Sequence, residues 1–67
     1  MNHNLYIARK ENRLLQKEVA KKISISSQSY HLKETGKREF TVTEAKRLAR
    51  IFNCTLDDLF GEEMEVS

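Results

Sequence analysis

The sequence predicts an all-α fold, a compact set of five short helices. Three observations carry that expectation. The 67 residues hold no proline and only two glycines, so few positions interrupt a helix. Runs of β-branched residues are scarce. Apolar residues recur instead at three- and four-residue spacing, as on one face of a helix.

The elements follow in order. Leu5, Ala8 and Asn12 share one helical face, with Arg9 beside it, which predicts a first helix over residues 4 to 11. His3, ahead of it, reads as a disordered terminal residue. Residues 16 to 23 make the second helix, with Val19, Ala20 and Ile23 inward. Its N-cap slot holds Leu15, whose side chain accepts no backbone N–H bond, and a missing cap costs about 0.5–2 kcal/mol. Ser24-Ile25-Ser26 breaks the pattern. Ser26 suits the N-cap of a third helix over residues 27 to 34, which Gly36 ends in the left-handed conformation. Thr41-Val42-Thr43-Glu44 reads as a capping box that opens the fourth helix. Val42, Ala45, Leu48, Ala49 and Phe52 form its apolar stripe, and Asn53 its terminator. Thr55 caps a last helix over residues 56 to 60, stopped by Gly61. Residues 1 to 61 are thus expected to form one domain and residues 62 to 67 a short acidic, frayed tail.

Size and composition exclude several classes. A domain this small buries only about 60% of the surface its unfolded chain exposes, so stability rests on helix packing or on a partner chain. The single cysteine, Cys54, permits no internal disulfide, and with His3 and His31 it makes no structural zinc site. Neither a metal nor a cofactor is expected. Cys54 reads as a small buried hydrophobe. Asp57 and Asp58 suit the first turn of the last helix, where carboxylates favour the helix dipole. Nothing composes a catalytic constellation, so the chain is not read as an enzyme. No stretch is apolar enough for a signal peptide or a membrane span, which predicts a soluble cytoplasmic protein.

Net charge is only +2, but it is unevenly placed. Residues 1 to 38 balance at +6 and residues 39 to 67 at −4. A basic front half points to a polyanion, although an ordinary solvated surface carries charge too. The second and third helices are joined by a turn of about three residues, the arrangement of a helix-turn-helix.

Residues 16 to 33, with Arg9 and Glu34-Thr35-Gly36-Lys37 flanking, resemble the helix-turn-helix of the Cro and repressor family of phage and bacterial regulators. The matching slots are Gln16, Val19, Ala20, Ile23, Ser24-Ile25, Ser26 and, midway along the third helix, Tyr30. Residues 49 to 60 resemble the family's closing helices. The likeness spans about residues 4 to 60 and implies double-stranded operator DNA as the partner, bound by a homodimer. It also implies an internal ion pair between Arg9 and Glu34.

In such a fold the third helix lies in the major groove, and its first residues reach base edges. Those are Ser27, Gln28, His31 and Leu32. Gln28 is the strongest, since a carboxamide bonds bidentately to adenine, while Leu32 suits a thymine methyl. Gln16 aims at a phosphate and backs up Gln28. Arg9, Arg13, Lys17, Thr35, Lys37 and Arg38 complete the phosphate set, which fixes register without reading sequence. Three residues depart from the family pattern: Ser24 where glycine is usual, Leu15 at a cap, and Lys33 at an apolar slot. The stem of Lys33 is expected on the core, with its ammonium snorkelling to solvent.

The sequence therefore predicts a transcriptional regulator, a small phage repressor or Cro-like protein binding a palindromic operator. Leu56, Leu59, Phe60, Met64 and Val66 make an apolar end, part of which is expected to pack inside and the remainder to serve dimerisation. No sensory domain is expected within these 67 residues, so control is expected to come from concentration or a partner. The alternative is a protein-interaction module, such as an antitoxin or an antirepressor-controlled regulator, with residues 62 to 66 as its contact.

Overall fold

The computed structural model describes residues 1 to 64, and side chains as far as residue 61. Five helices follow one another: α1 His3–Glu11, α2 Gln16–Lys22, α3 Ser27–Glu34, α4 Val42–Ile51 and α5 Leu56–Met64. There is no strand among the described residues. α2 packs on α3, and α5 packs on both α1 and α4.

The core is built from the positions that the helical spacing marks, except Val42, which at the first position of α4 is exposed. Leu5, Val19, Ala20, Ile23, Tyr30, Leu48, Ala49, Leu59 and Phe60 are buried. Phe40 comes from the α3–α4 connection yet joins them. Its ring lies 5.8 Å from Tyr30 and 5.7 Å from Phe60, centroid to centroid.

Helix ends explain most of the local structure. The first four helices all stop in the same way, with one left-handed residue and a paired return of backbone bonds to the last turn. After α2, Ser24 has φ 63°, and the Ser24 and Ile25 N–H groups donate to Lys21 and Ala20 carbonyls. Arg13, Gly36 and Asn53 do the same after α1, α3 and α4, with φ of 56°, 90° and 52°. Only one of the four is glycine. At Gly36 the choice has a second reason, because a Cβ there would sit 3.0 Å from the Met1 nitrogen. Ser24 holds a conformation that strains a non-glycine residue by about 1–2 kcal/mol. Glycine would relieve that strain but loses more freedom on folding. Ser24→Gly is expected to raise stability by about 0.5–1 kcal/mol in urea denaturation. A lower midpoint would show that the serine is not strained there.

N-termini are closed by side chains. Ser26 Oγ accepts from Ser29 N–H at 3.1 Å. Thr41 and Glu44 form the full reciprocal box, at 3.0 and 3.1 Å. Thr55 and Asp58 form another, both bonds 3.0 Å.

Several expectations are corrected. The Leu15 side chain makes no cap bond to α2, as expected, but Glu18 Oε1 accepts the Leu15 backbone N–H at 2.7 Å, the return half of a capping box. His3 opens α1 rather than preceding it. Gly61 does not end α5, which continues to Met64. A glycine inside a helix costs only about 1 kcal/mol relative to alanine, so it permits a stop without forcing one.

Lys33 does not snorkel. Its side chain is 12% exposed, and its ammonium bonds Glu44 Oε1 at 2.7 Å, tying α3 to the capping box of α4. Of the apolar end, the part that packs inside is Leu59 and Phe60, which are buried, while Leu56 is half-buried. The Met64 side chain and Val66 lie outside the described residues, as do the side chains of the tail proposed as a protein contact.

Candidate nucleic-acid interface

The site is organised by one buried carboxylate. Glu34, at the end of α3, is 1% exposed, and Arg9 on α1 is 6% exposed. The guanidinium meets it through two parallel bonds, Nε to Oε2 at 2.9 Å and Nη2 to Oε1 at 3.1 Å. Arg9 Nη1 donates to the Leu14 carbonyl at 2.8 Å. Two more donors reach the carboxylate. The Tyr30 hydroxyl donates to Oε2 at 2.6 Å, and Gln16 Nε2 to Oε1 at 2.9 Å. Burial pushes the Glu34 carboxyl up, but the hydrogen bonds from Arg9, Tyr30 and Gln16 outweigh it and hold the group ionised below the usual carboxylate range. Burial, and then the bond to Glu34, push the Tyr30 phenol well above its ordinary value.

This cluster joins α1, α2 and α3 in one place. The chain's start is fastened to the same corner: Asn2 N–H donates to the Glu34 carbonyl and Asn2 Nδ2 to the Lys33 carbonyl, each at 3.0 Å. Sequence reasoning missed Asn2, because one polar residue near a terminus carries no signal of its own.

Gln16 links the cluster to the outer face of α3. Its Oε1 lies 3.1 Å from His31 Nδ1. The N-terminus of α2 and the exposed side of α3 therefore sit side by side. Ser27, Gln28 and His31 are exposed there. Arg13 and Lys17, flanking Gln16 in the chain, are exposed, as are Lys37 and Arg38 beyond α3. The Lys37 and Arg38 backbone N–H groups both bond the Leu32 carbonyl, at 2.9 and 3.2 Å, which fixes that segment against the end of the helix.

Four residues of the expected contact set sit differently. Arg9 was expected to spare N–H groups for a phosphate, but it is buried with three nitrogens bonded inside the domain. Gln16 supports His31 and Glu34, not Gln28. Leu32 is half-buried, only partly on the outer face. The Thr35 hydroxyl donates back to the His31 and Leu32 carbonyls, at 2.8 and 3.1 Å. A phosphate oxygen only accepts, so Thr35 would reach one only by giving up those bonds.

The fold and this corner define a helix-turn-helix DNA-binding domain. A family model described as helix-turn-helix matches residues 5–59, and the chain belongs to that family, of the Cro and repressor type. It is accordingly a DNA-binding regulator by family. No curated protein and no solved structure matches the chain. Among the described residues no helix is long and apolar enough to cross a membrane.

Proposed function

We propose that the protein is a transcriptional repressor of the phage type, binding a palindromic operator as a homodimer with α3 in the major groove. The observation that carries this is the exposed face of α3. Ser27, Gln28 and His31 point outward on a helix whose opposite side is locked to α1 and α2 through Glu34. A rigid helix with a polar, hydrogen-bonding outer face suits base edges. Gln28 reads adenine N6 and N7, and Ser27 pairs with any base. Leu32 contributes its exposed part to a thymine methyl. Arg13, Lys17, Lys37 and Arg38 hold phosphates on either side. Gln16 contributes through its backbone N–H, unpaired in the first turn of α2. The protein acts in the bacterial cytoplasm.

One such domain offers few base-reaching side chains. A two-fold dimer doubles them and places two half-sites one helical turn apart.

Selection of bound duplexes from a random pool tests this reading. The expected result is a two-fold symmetric consensus with half-site centres about 10 base pairs apart. Weak binding with no consensus would remove the operator reading and favour a protein partner.

A further inference from the structure

The bonds around Glu34 leave little freedom in how hydrogen atoms are distributed along the interface. Arg9 donates to both oxygens of the carboxylate, which, being ionised, only accepts. The Gln16 amide atom 2.9 Å from Glu34 Oε1 must therefore be its NH2. Rotated the other way, the amide would set oxygen against oxygen. With the NH2 directed inward, the amide oxygen faces His31 Nδ1 at 3.1 Å. An amide oxygen accepts and never donates, so Nδ1 must carry the proton. In a neutral imidazole the other nitrogen, Nε2, is then bare. Orientation of a Gln amide and the tautomer of a His are ordinarily ambiguous. Here a buried carboxylate, fixed by an arginine, settles both in sequence.

We propose that Gln16 locks His31 in its Nδ1–H form, so that His31 presents Nε2 as an acceptor and selects a base that offers a donor in the major groove. Those bases are cytosine, through N4, and adenine, through N6. Guanine and thymine offer only acceptors at that edge, which would face the bare Nε2 lone pair. His31 lies three residues after Gln28, one turn along the same face of α3. It is thus a second specificity-determining residue, and Gln16 is a positioning residue acting through it. The proposal rests on the DNA-binding reading of this face.

Two measurements test it separately. In the free protein, labelled with nitrogen-15, long-range proton–nitrogen correlation spectra at about pH 8 report which ring nitrogen is protonated. His31 is expected in the Nδ1–H form, with its signals identified by their loss in His31→Ala. Gln16→Ala is expected to return it to the Nε2–H form that histidine favours in water. A wild-type ring already in the Nε2–H form overturns the lock, whatever the DNA result. In pool selection, His31→Ala is expected to lose a preference of about tenfold at one base pair per half-site, leaving the Gln28 position intact. At that position, duplexes lacking the exocyclic amine (purine in place of adenine, pyrimidin-2-one in place of cytosine) are expected to bind the wild type about tenfold more weakly; binding indifferent to the amine overturns the proposal while leaving the DNA-binding reading in place. A wild-type pool without any consensus overturns that reading, and the base contact with it.

Discussion

Arg9→Ala is expected to destabilise the domain by about 3–5 kcal/mol, the usual consequence of leaving one partner of a buried ion pair alone. Glu34 would keep the bonds from Tyr30 and Gln16 but lose the opposite charge. The same substitution releases the Leu14 carbonyl that Nη1 holds, and with it part of the α1–α2 turn. A small domain has a total stability of only about 5–15 kcal/mol, so the loss takes a large share. Thermal and urea unfolding measure it directly. Melting at the wild-type temperature would mean that the pair is not a strut.

The acid limb of the same experiment has a definite sign. The folded-state pKa of Glu34 lies below the ordinary 4.5, so the folded protein holds that proton less tightly than the unfolded chain. The stability it contributes is fully present above the ordinary carboxylate range. It is lost as the pH falls through the folded value. Glu44 behaves alike: burial pushes it up, but the Lys33 bond prevails and lowers it. Wild-type stability should therefore fall with acid. Arg9→Ala should show a weaker fall, since it removes the main partner that depresses Glu34.

The second large effect is on binding. If Arg13, Lys17, Lys37 and Arg38 each neutralise a phosphate in both protomers, the log–log slope of affinity against salt is about −7. Between about 50 and 200 mM salt the affinity would fall by about 10⁴-fold. Fluorescence anisotropy with a labelled operator gives the slope. A value near zero would remove these cations from the interface. Lys37→Ala should flatten the slope by about one per protomer and weaken all sequences alike.

Much of the fold is legible in the sequence because its signals are local. The Ala45, Leu48 and Ala49 spacing marks the inner face of α4, and Thr41 with Glu44 announces its start from three residues' distance. Positive φ at Gly36 and Asn53 is equally readable, since those residue types favour it. Arg13 adopts the same conformation with no such hint. Gly61 is ambiguous in kind, because glycine is both a common helix terminator and a tolerable interior residue.

What the sequence hides is pairing across the chain. Lys33 and Glu44 are eleven residues apart, and the charge at an apolar slot looks like a defect until its partner is seen. Arg9 and Glu34, 25 apart, come within reach only through the family resemblance. That resemblance supplies the pair but not its consequences. Four donors on one carboxylate bury Arg9 and turn the Gln16 NH2 group toward Glu34, which leaves the Gln16 oxygen to support His31. The exposed residues of the candidate site follow from helical periodicity, whereas their hydrogen-bonding state depends on that three-helix corner.

If the outer face of α3 reads bases, Gln28→Ala should erase one step of that reading. Binding of this variant is to be measured on the selected operator and on operators changed at each base pair in turn. The expected result is a loss of about 1–3 kcal/mol confined to one adenine-containing pair per half-site, where all four bases then bind alike. An equal loss on every sequence, with discrimination intact, would make Gln28 a backbone contact and contradict the placement of α3 in the groove.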